Sequence, residues 1–211
     1  MKWKYGNSWE KYPIKEGEIW QHVSSGSQLC VWNLFDGLPD FMTQADMIYT
    51  DPPWNTGNIR GFYTKAGMKT DKTFDDFIEV LFNHISLIDA VVCYLEIGKQ
   101  NVCVFRDCLK EIYPSVQVWP VTYYQKNPSF LVRGGLEPTN FDFTGMDDMD
   151  TPRTAMTNEK FTCVADLCMG RGLTAITAIK FGKRFVGTEL NRRRLACTID
   201  RVGGEWHIIQ H

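Results

Sequence analysis

The apolar positions of this chain change period several times, and the changes mark alternating strands and helices. Residues 28–33 form a short apolar run of strand type, and Asp36-Gly37-Leu38-Pro39 reads as a turn or a short helix start. A second strand-like run, 45–50, stops at Pro52-Pro53, where two rings without a backbone N–H end any hydrogen-bonded ladder. Phe74, Phe77, Ile78, Leu81, Phe82, Ile85 and Ile88 then recur at helical spacing behind a cap at Thr73 or Asp75, so this stripe belongs to a core. Residues 90–96 are a continuous apolar run of the kind found in parallel sheets. A second helix is expected over 100–111 and a strand over 115–126, carrying Val116, Val118, Val121, Tyr123 and Tyr124. The last third predicts a strand (161–166), a glycine turn (167–172), a helix (173–181), a strand (184–188) with Glu189 at its end, a helix (191–202) and a final strand (205–210). Such alternation argues an α/β domain with right-handed crossovers.

Three stretches break the pattern. Residues 1–20 are rich in lysine and aromatic rings (Trp3, Lys4, Tyr5, Trp9, Lys11, Tyr12, Lys15). They read either as an arm packed on the domain surface, which we prefer, or as an arm lying on nucleic acid. Residues 55–72 read as a polar connection with Gly57, Gly61 and Gly67, four cations (Arg60, Lys65, Lys69, Lys72) and Asp71 as the only acid. A Gly-hinged basic loop suits closure over a polyanion; the plain alternative is a disordered surface loop. From 134 to 151 the chain turns acidic (Glu137, Asp142, Asp147, Asp148, Asp150) with no Lys or Arg, so 134–160 is expected to be a linker or flexible insertion that faces away from phosphate or docks a basic partner.

Length and composition narrow the class. At 211 residues the chain fits a single domain, and 44% hydrophobic with 23% charged residues is the balance of a soluble globular protein. The formal charge of −2 gives no global attraction to nucleic acid, so any such role rests on local patches. Seven cysteines without a C-x-x-C pair read as reduced thiols in an intracellular protein, and a zinc site is not expected. The N-terminus lacks a signal-peptide core and no run is long enough for a bilayer, so no membrane partner is expected.

Two stretches carry candidate chemistry. Thr50-Asp51-Pro52-Pro53-Trp54-Asn55 presents a carboxylate, carbonyls that no neighbouring strand need claim, and a large ring, a combination suited to a planar amine such as adenine; a strand terminator with a core tryptophan is the plain alternative. Further on, a strand ending at Asp166, a turn through Gly170 and Gly172, a helix, and a strand ending at Glu189 make a mononucleotide-binding βαβ unit. With only two glycines the pyrophosphate fingerprint is incomplete, which disfavours a dinucleotide. Asp166 repels phosphate and suits a cationic amino group, while Glu189 suits ribose hydroxyls. The ligand is therefore expected to carry a ribose and a cationic end, as S-adenosylmethionine does.

At these residues the chain resembles the S-adenosylmethionine-dependent amino-methyltransferases that act on adenine N6 in DNA. Asp51-Pro52-Pro53-Trp54 matches that family's catalytic D-P-P-[YFW] motif. Asp166-Leu167-Cys168-Met169-Gly170-Arg171-Gly172-Leu173-Thr174 resembles its D-P-F-x-G-S-G-T-T cofactor loop, and Gly187-Thr188-Glu189-Leu190-Asn191 its G-x-E-x-[ND] ribose segment. The resemblance covers nearly all of 28–202, and the catalytic motif precedes the cofactor motif, as in the circularly permuted β group. It implies a Rossmann-like class I methyltransferase fold, a central mostly parallel sheet flanked by helices, spanning residues 1–211 as one domain.

The resemblance also implies roles. Asp51 to Trp54 would be catalytic, and Asp51, Asp166, Cys168, Gly170, Gly172, Glu189 and Asn33 would bind S-adenosylmethionine, Asn33 standing where the family has Asp. Asn55, Arg60, Lys65, Lys69, Lys72 and Lys126 are candidate nucleic-acid contacts, the last in Tyr124-Gln125-Lys126-Asn127, which is similar to the family's strand–Lys segment. The target adenine, flipped from a duplex or presented single-stranded, would stack on Trp54 while Asp51 and the Pro52 carbonyl accept the two N6 hydrogens. Leu167, Cys168 and Arg171 depart from the usual Pro, Phe and Ser, and 134–160 leaves no evident target-recognition domain. Sequence reading would fall to 55–72, the N-terminal arm, a second copy of the chain or a separate specificity subunit; otherwise low specificity is expected. RNA adenine methylation and a catalytically silent nucleic-acid-binding subunit are the alternatives, and the expected location is the cytoplasm of a bacterial or phage-infected cell.

Overall fold

The computed structural model of the chain describes residues 6–210. Among these residues nine strands form one sheet: β1 (Ile19–His22), β2 (Gln28–Val31), β3 (Met47–Thr50), β4 (Val92–Gly98), β5 (Ser115–Tyr123), β6 (Asn127–Gly135), β7 (Cys163–Asp166), β8 (Arg184–Glu189) and β9 (Trp206–Gln210). Their spatial order is β5-β6-β4-β3-β7-β8-β2-β1-β9. The five central strands, β4-β3-β7-β8-β2, run parallel to one another. Both margins are antiparallel, with β6 and β5 beyond β4 and β1 and β9 beyond β2.

Helices cover both faces. On one side α2 (Thr56–Ala66), α3 (Phe74–Ile88) and α4 (Val102–Lys110) share a core with Ile48, Cys93, Leu95 and Ile97. On the other, α5 (Thr151–Asn158), α6 (Leu173–Lys180) and α7 (Arg192–Val202) pack on Met47, Tyr49, Val92 and Tyr94. Strand residues alternate between the two cores because successive side chains point to opposite faces. The α3 stripe behaves as its spacing predicts, with Phe74, Phe77, Leu81, Phe82, Ile85 and Ile88 buried behind a Thr73–Asp76 capping box. No helix of the described residues is long and apolar enough to cross a membrane.

Two sequence expectations need correction, and one strand goes unannounced. Residues 55–72 do not form a loop throughout: 56–66 is helix α2, capped by the Asn55 side chain on the Asn58 N–H and ended by Gly67 in the left-handed region (φ 80). Gly57 and Gly61 weaken its propensity, but Ile59 and Tyr63 at i, i+4 are buried, so packing decides. The 134–160 interval is not a flexible insertion either. It completes β6, buries Phe143 against Tyr94 and Trp119, bridges to β5 at Thr122–Asp147 and ends in α5. An apolar anchor at Phe143 and fixed uses for its carboxylates hold it down. Finally, 127–135 is a strand that the pattern does not announce, because Pro128, Arg133, Gly134 and Gly135 all argue against one.

Of the N-terminal stretch, Trp3, Lys4 and Tyr5 lie outside the described residues. The short helix α1 (Ser8–Lys11) lies on α7, where Ser8 Oγ and Lys11 Nζ both donate to Asp200, so this part packs on the domain. Ile19–His22 is strand β1 and no part of an arm.

Candidate functional site

The carboxyl ends of the parallel strands converge on one cavity of about 370 Å³. Asp51 follows β3, Glu96 lies in β4, Asp166 closes β7, Glu189 closes β8 and Asn33 follows β2, and all five line it. In an open α/β sheet this is where ligands sit, because the strand ends and the turns after them form a crevice.

Asp51 stands at the end of β3 because Pro52 lacks the N–H needed to extend the ladder. Its Oδ1 accepts from the Trp54 indole N–H at 2.9 Å and its Oδ2 from the Tyr123 hydroxyl at 2.9 Å. Burial pushes its acid up to about 7, against the pull of those two donors. Pro53 lines the cavity beside it. Trp54 does not wall the cavity. One face of its ring lies on Gly98, where a Cβ would meet the indole at 2.7 Å, and it meets Tyr123 edge-on with centroids 4.9 Å apart. The rings lining the cavity near Asp51 are Tyr49, Tyr123 and Tyr124.

Beyond Asp51 lies the glycine turn. Asp166 Oδ1 accepts from Thr50 Oγ1 at 2.7 Å and from the Cys168 N–H at 3.0 Å, yet burial still pushes the acid up to about 6. Gly170 and Gly172 adopt left-handed φ of 56 and 74. Only Gly170 lines the cavity; Gly172 instead lets α6 approach α7, since a Cβ there would lie 2.3 Å from Thr198 Cγ2. Glu189 accepts from the Asn191 N–H at 2.8 Å, and burial, opposed by Arg194, pushes it up to about 7. Asn33 Oδ1 accepts from Tyr63 of α2 at 2.6 Å, and Cys168 adds a half-buried thiol whose pKa is raised by desolvation.

The basic residues singled out from the sequence are dispersed. Lys65 lines the cavity, whereas Arg60, Lys69, Lys72 and Lys126 are exposed outside it. Asn55 caps α2, and Lys72 lies over the Phe35 ring at 5.3 Å.

Sequence reasoning missed Glu96, Tyr49, Tyr123, Asp148 and Thr151. A signal existed for Glu96, since an acid within an otherwise apolar buried strand is costly unless used. Its Oε1 accepts from Tyr49 and from Thr151 Oγ1, and burial with the nearby Asp51 charge pushes it up to about 8. Asp148 Oδ1 accepts from the Tyr124 N–H and Asp147 Oδ2 from the Gln125 N–H. These two bonds hold a hairpin tip in which Tyr124 and Gln125 both have positive φ (51 and 59), a conformation costing ordinary residues about 1–2 kcal/mol each. The acidic segment therefore fixes the two tyrosines over the cavity.

Five buried or half-buried acids (Asp51, Glu96, Asp148, Asp166, Glu189) thus face one space, each with its pKa raised, burial being the largest cause. Such a lining favours a ligand bearing positive charge and several hydrogen-bond donors. An adenosyl group with a cationic tail meets that demand. Glu189 offers an acceptor for ribose, Asp166 a counter-charge, the turn at Gly170 a close backbone approach, and Phe35, Phe62 and Leu190 apolar walls.

No protein-family model matches the chain, and no curated protein sequence does. Solved structures do resemble it. The M1.HpyAVI–S-adenosylmethionine complex superposes with a TM-score of 0.59 at 16% identity, over 83% of this chain and 98% of that one. TTHA0409 from Thermus thermophilus, described as a DNA modification methylase and complexed with S-adenosyl-L-methionine, gives 0.55 at 15% identity over 82% and 92%. The cytosine-N4-specific PvuII DNA methyltransferase gives 0.50 at 9% identity, over 85% and 88%. At these identities the likeness shows the shared fold.

Proposed function

We propose that this protein transfers the methyl group of S-adenosylmethionine to N6 of adenine in DNA. The observation that carries the reading is a cavity with Asp51 between two halves: a glycine-turn half (Asp166, Gly170, Glu189) and a tyrosine-lined half (Tyr49, Tyr123, Tyr124). The first suits the cofactor and the second a planar base.

In this reading Asp166, Cys168, Gly170, Glu189 and Asn33 hold the cofactor, whose sulfonium supplies an electrophilic methyl. Asp51 and the Pro52 carbonyl accept the two amino hydrogens and so aim the nitrogen lone pair. Because the Trp54 and Tyr123 donors already fix the Asp51 carboxylate, little reorganisation accompanies the reaction. Tyr123 and Tyr124, which line the cavity, supply aromatic surface for a flipped or single-stranded base, and Trp54 holds Asp51 from behind. Lys65 at the cavity, with Arg60, Lys69, Lys72 and Lys126 around it, meets phosphates.

The experiment is direct. The protein is incubated with labelled S-adenosylmethionine and duplex DNA, single-stranded DNA or RNA, and the products are digested to nucleosides. Label in N6-methyldeoxyadenosine is expected. Label in N6-methyladenosine from RNA alone would move the substrate to RNA, and label in N4-methyldeoxycytidine would move the base. No label on any substrate, with the cofactor still bound, would leave a silent binding subunit. Asp51→Ala is expected to abolish transfer while sparing cofactor binding, and Asp166→Ala to lose cofactor affinity.

A further inference from the structure

The two acids beside the tyrosine-lined half are not equivalent. The parallel β3–β4 register pairs Tyr49 with Tyr94 and Thr50 with Leu95, so its continuation brings Asp51 level with Glu96. Alternation puts both on the sheet face shared by Tyr49 and Tyr94, whose rings stack at 5.9 Å. Asp51 has a donor on each oxygen, Trp54 on one and Tyr123 on the other, an arrangement that favours its anion. Among the described residues, every hydrogen bond to Glu96 falls on Oε1, from Tyr49 and from Thr151 at 2.6 Å. Oε2 is left to the cavity that Glu96 lines.

Two neighbouring carboxylates in a buried wall do not both ionise, and the shared proton goes where donors are fewest. That place is Oε2 of Glu96. The surroundings agree. Glu96 is faced by Asp51 and Tyr49 from β3, by Tyr94 along its own strand, and by Asp148 and Thr151 from the segment entering α5. The nearby Arg133 guanidinium is engaged by Tyr94, by Glu159 and by the Glu137 carbonyl.

We infer that Glu96, protonated on Oε2, donates a hydrogen bond to the ring nitrogen beside the amino group of the acceptor base, which in adenine is N1. The inference rests on the proposed function, in which the base amine is held at Asp51. An acceptor (Asp51) beside a donor (Glu96) matches an amidine edge, an amino group next to an unprotonated ring nitrogen. Adenine and cytosine present that edge. At the position of the adenine amino group guanine and thymine carry a carbonyl next to an N–H, which reverses both partners and leaves each buried group unmatched. Glu96 thereby selects the class of base.

The test uses the full chain and chemically synthesised single-stranded oligonucleotide pools carrying either adenine or 1-deazaadenine, which lacks only N1. With adenine, Glu96→Leu is expected to lower kcat/KM by ~10- to 100-fold, the size of an unmatched buried polar group. Glu96→Gln is expected to stay near wild type, because its amide N–H donates from the same place, and to lose the alkaline limb that Glu96 imposes on the pH profile. With 1-deazaadenine the wild-type protein is expected to fall to the level of Glu96→Leu, and Glu96→Leu to add no further loss. An equal Glu96→Leu penalty on both oligonucleotides overturns the inference. So does an alkaline limb that persists in Glu96→Gln, a readout that holds even if the leucine variant fails to fold. Absence of transfer by the wild-type protein on both pools, and on the adenine pool annealed to its complement, overturns the methyl-transfer reading itself, and this inference with it.

Discussion

Removing the Tyr123 hydroxyl tests how the Asp51 carboxylate is held. Tyr123 comes from the tip of the β5–β6 hairpin and donates to Asp51 Oδ2 at 2.9 Å, stabilising the carboxylate that the reaction needs. In Tyr123→Phe, Asp51 keeps only the Trp54 donor on Oδ1. A hydrogen bond to a charged group is worth ~1.5–3 kcal/mol, or ~1–2 pKa units of support for the anion. Asp51, already pushed up to about 7 by burial, would then rise to ~8–9. At about pH 7.5 the ionised fraction would drop from roughly three quarters to between roughly a quarter and a few per cent, lowering activity ~3- to 25-fold. The assay is kcat/KM for methyl transfer against pH, whose acid limb reports the free enzyme. The acid limb is expected to move upward, and Glu96, pushed up to about 8, prevents full recovery at high pH. An acid limb that stays in place while activity falls equally at every pH would refute the reasoning, because Tyr123 would then act on the substrate and not on Asp51.

Three further outcomes are expected. The buried acids of the cavity, at about 6 to about 8 in the fold against 3.8 and 4.5 for free Asp and Glu, bind more protons folded than unfolded, so stability should fall as pH rises from about 4 to about 8. Thermal unfolding should therefore give a higher Tm at about pH 5.5 than at about pH 8, with S-adenosylmethionine raising Tm more at the higher pH; a Tm that rises across that window would contradict the reading. Arg133→Ala leaves Glu159 with no cation in a half-closed site and should cost ~3–5 kcal/mol in denaturant unfolding, because the pair (2.8 Å, side chains 6% and 15% exposed) ties β6 to α5. Arg60→Glu with Lys65→Glu on α2 should weaken DNA binding while leaving S-adenosylmethionine affinity unchanged for Arg60→Glu alone, and should reduce the slope of log affinity against log salt by ~1 for each phosphate no longer neutralised.

Much of the scaffold is determined locally, and there the sequence suffices. Two prolines end β3 wherever the strand lies, so Asp51 must stand at a strand end. The seven-residue apolar stripe of α3 has one helical face to bury, and the segment from 163 to 202 folds in the order its glycines and apolar runs dictate. Asp166, Gly170 and Glu189 follow from that order; their meeting with Asp51 comes from the sheet, which sets β3 beside β7.

What tertiary structure alone decided is how the Asp51 half is completed. Tyr123 is 72 residues from Asp51 and Thr151 is 55 from Glu96, separations at which no periodicity connects a donor to its acceptor. The β5–β6 hairpin turns at Tyr124 and Gln125, which carry no turn signature, and two aspartates more than twenty residues away stabilise it. The acidic run that reads as solvated linker is held by one buried ring, Phe143, and by backbone N–H groups of a distant turn. Glycines 57 and 61 conceal helix α2 until the sheet offers Ile59 and Tyr63 a core to enter. In each case the deciding energy is burial and hydrogen bonding between segments remote in the chain, which local pattern does not encode.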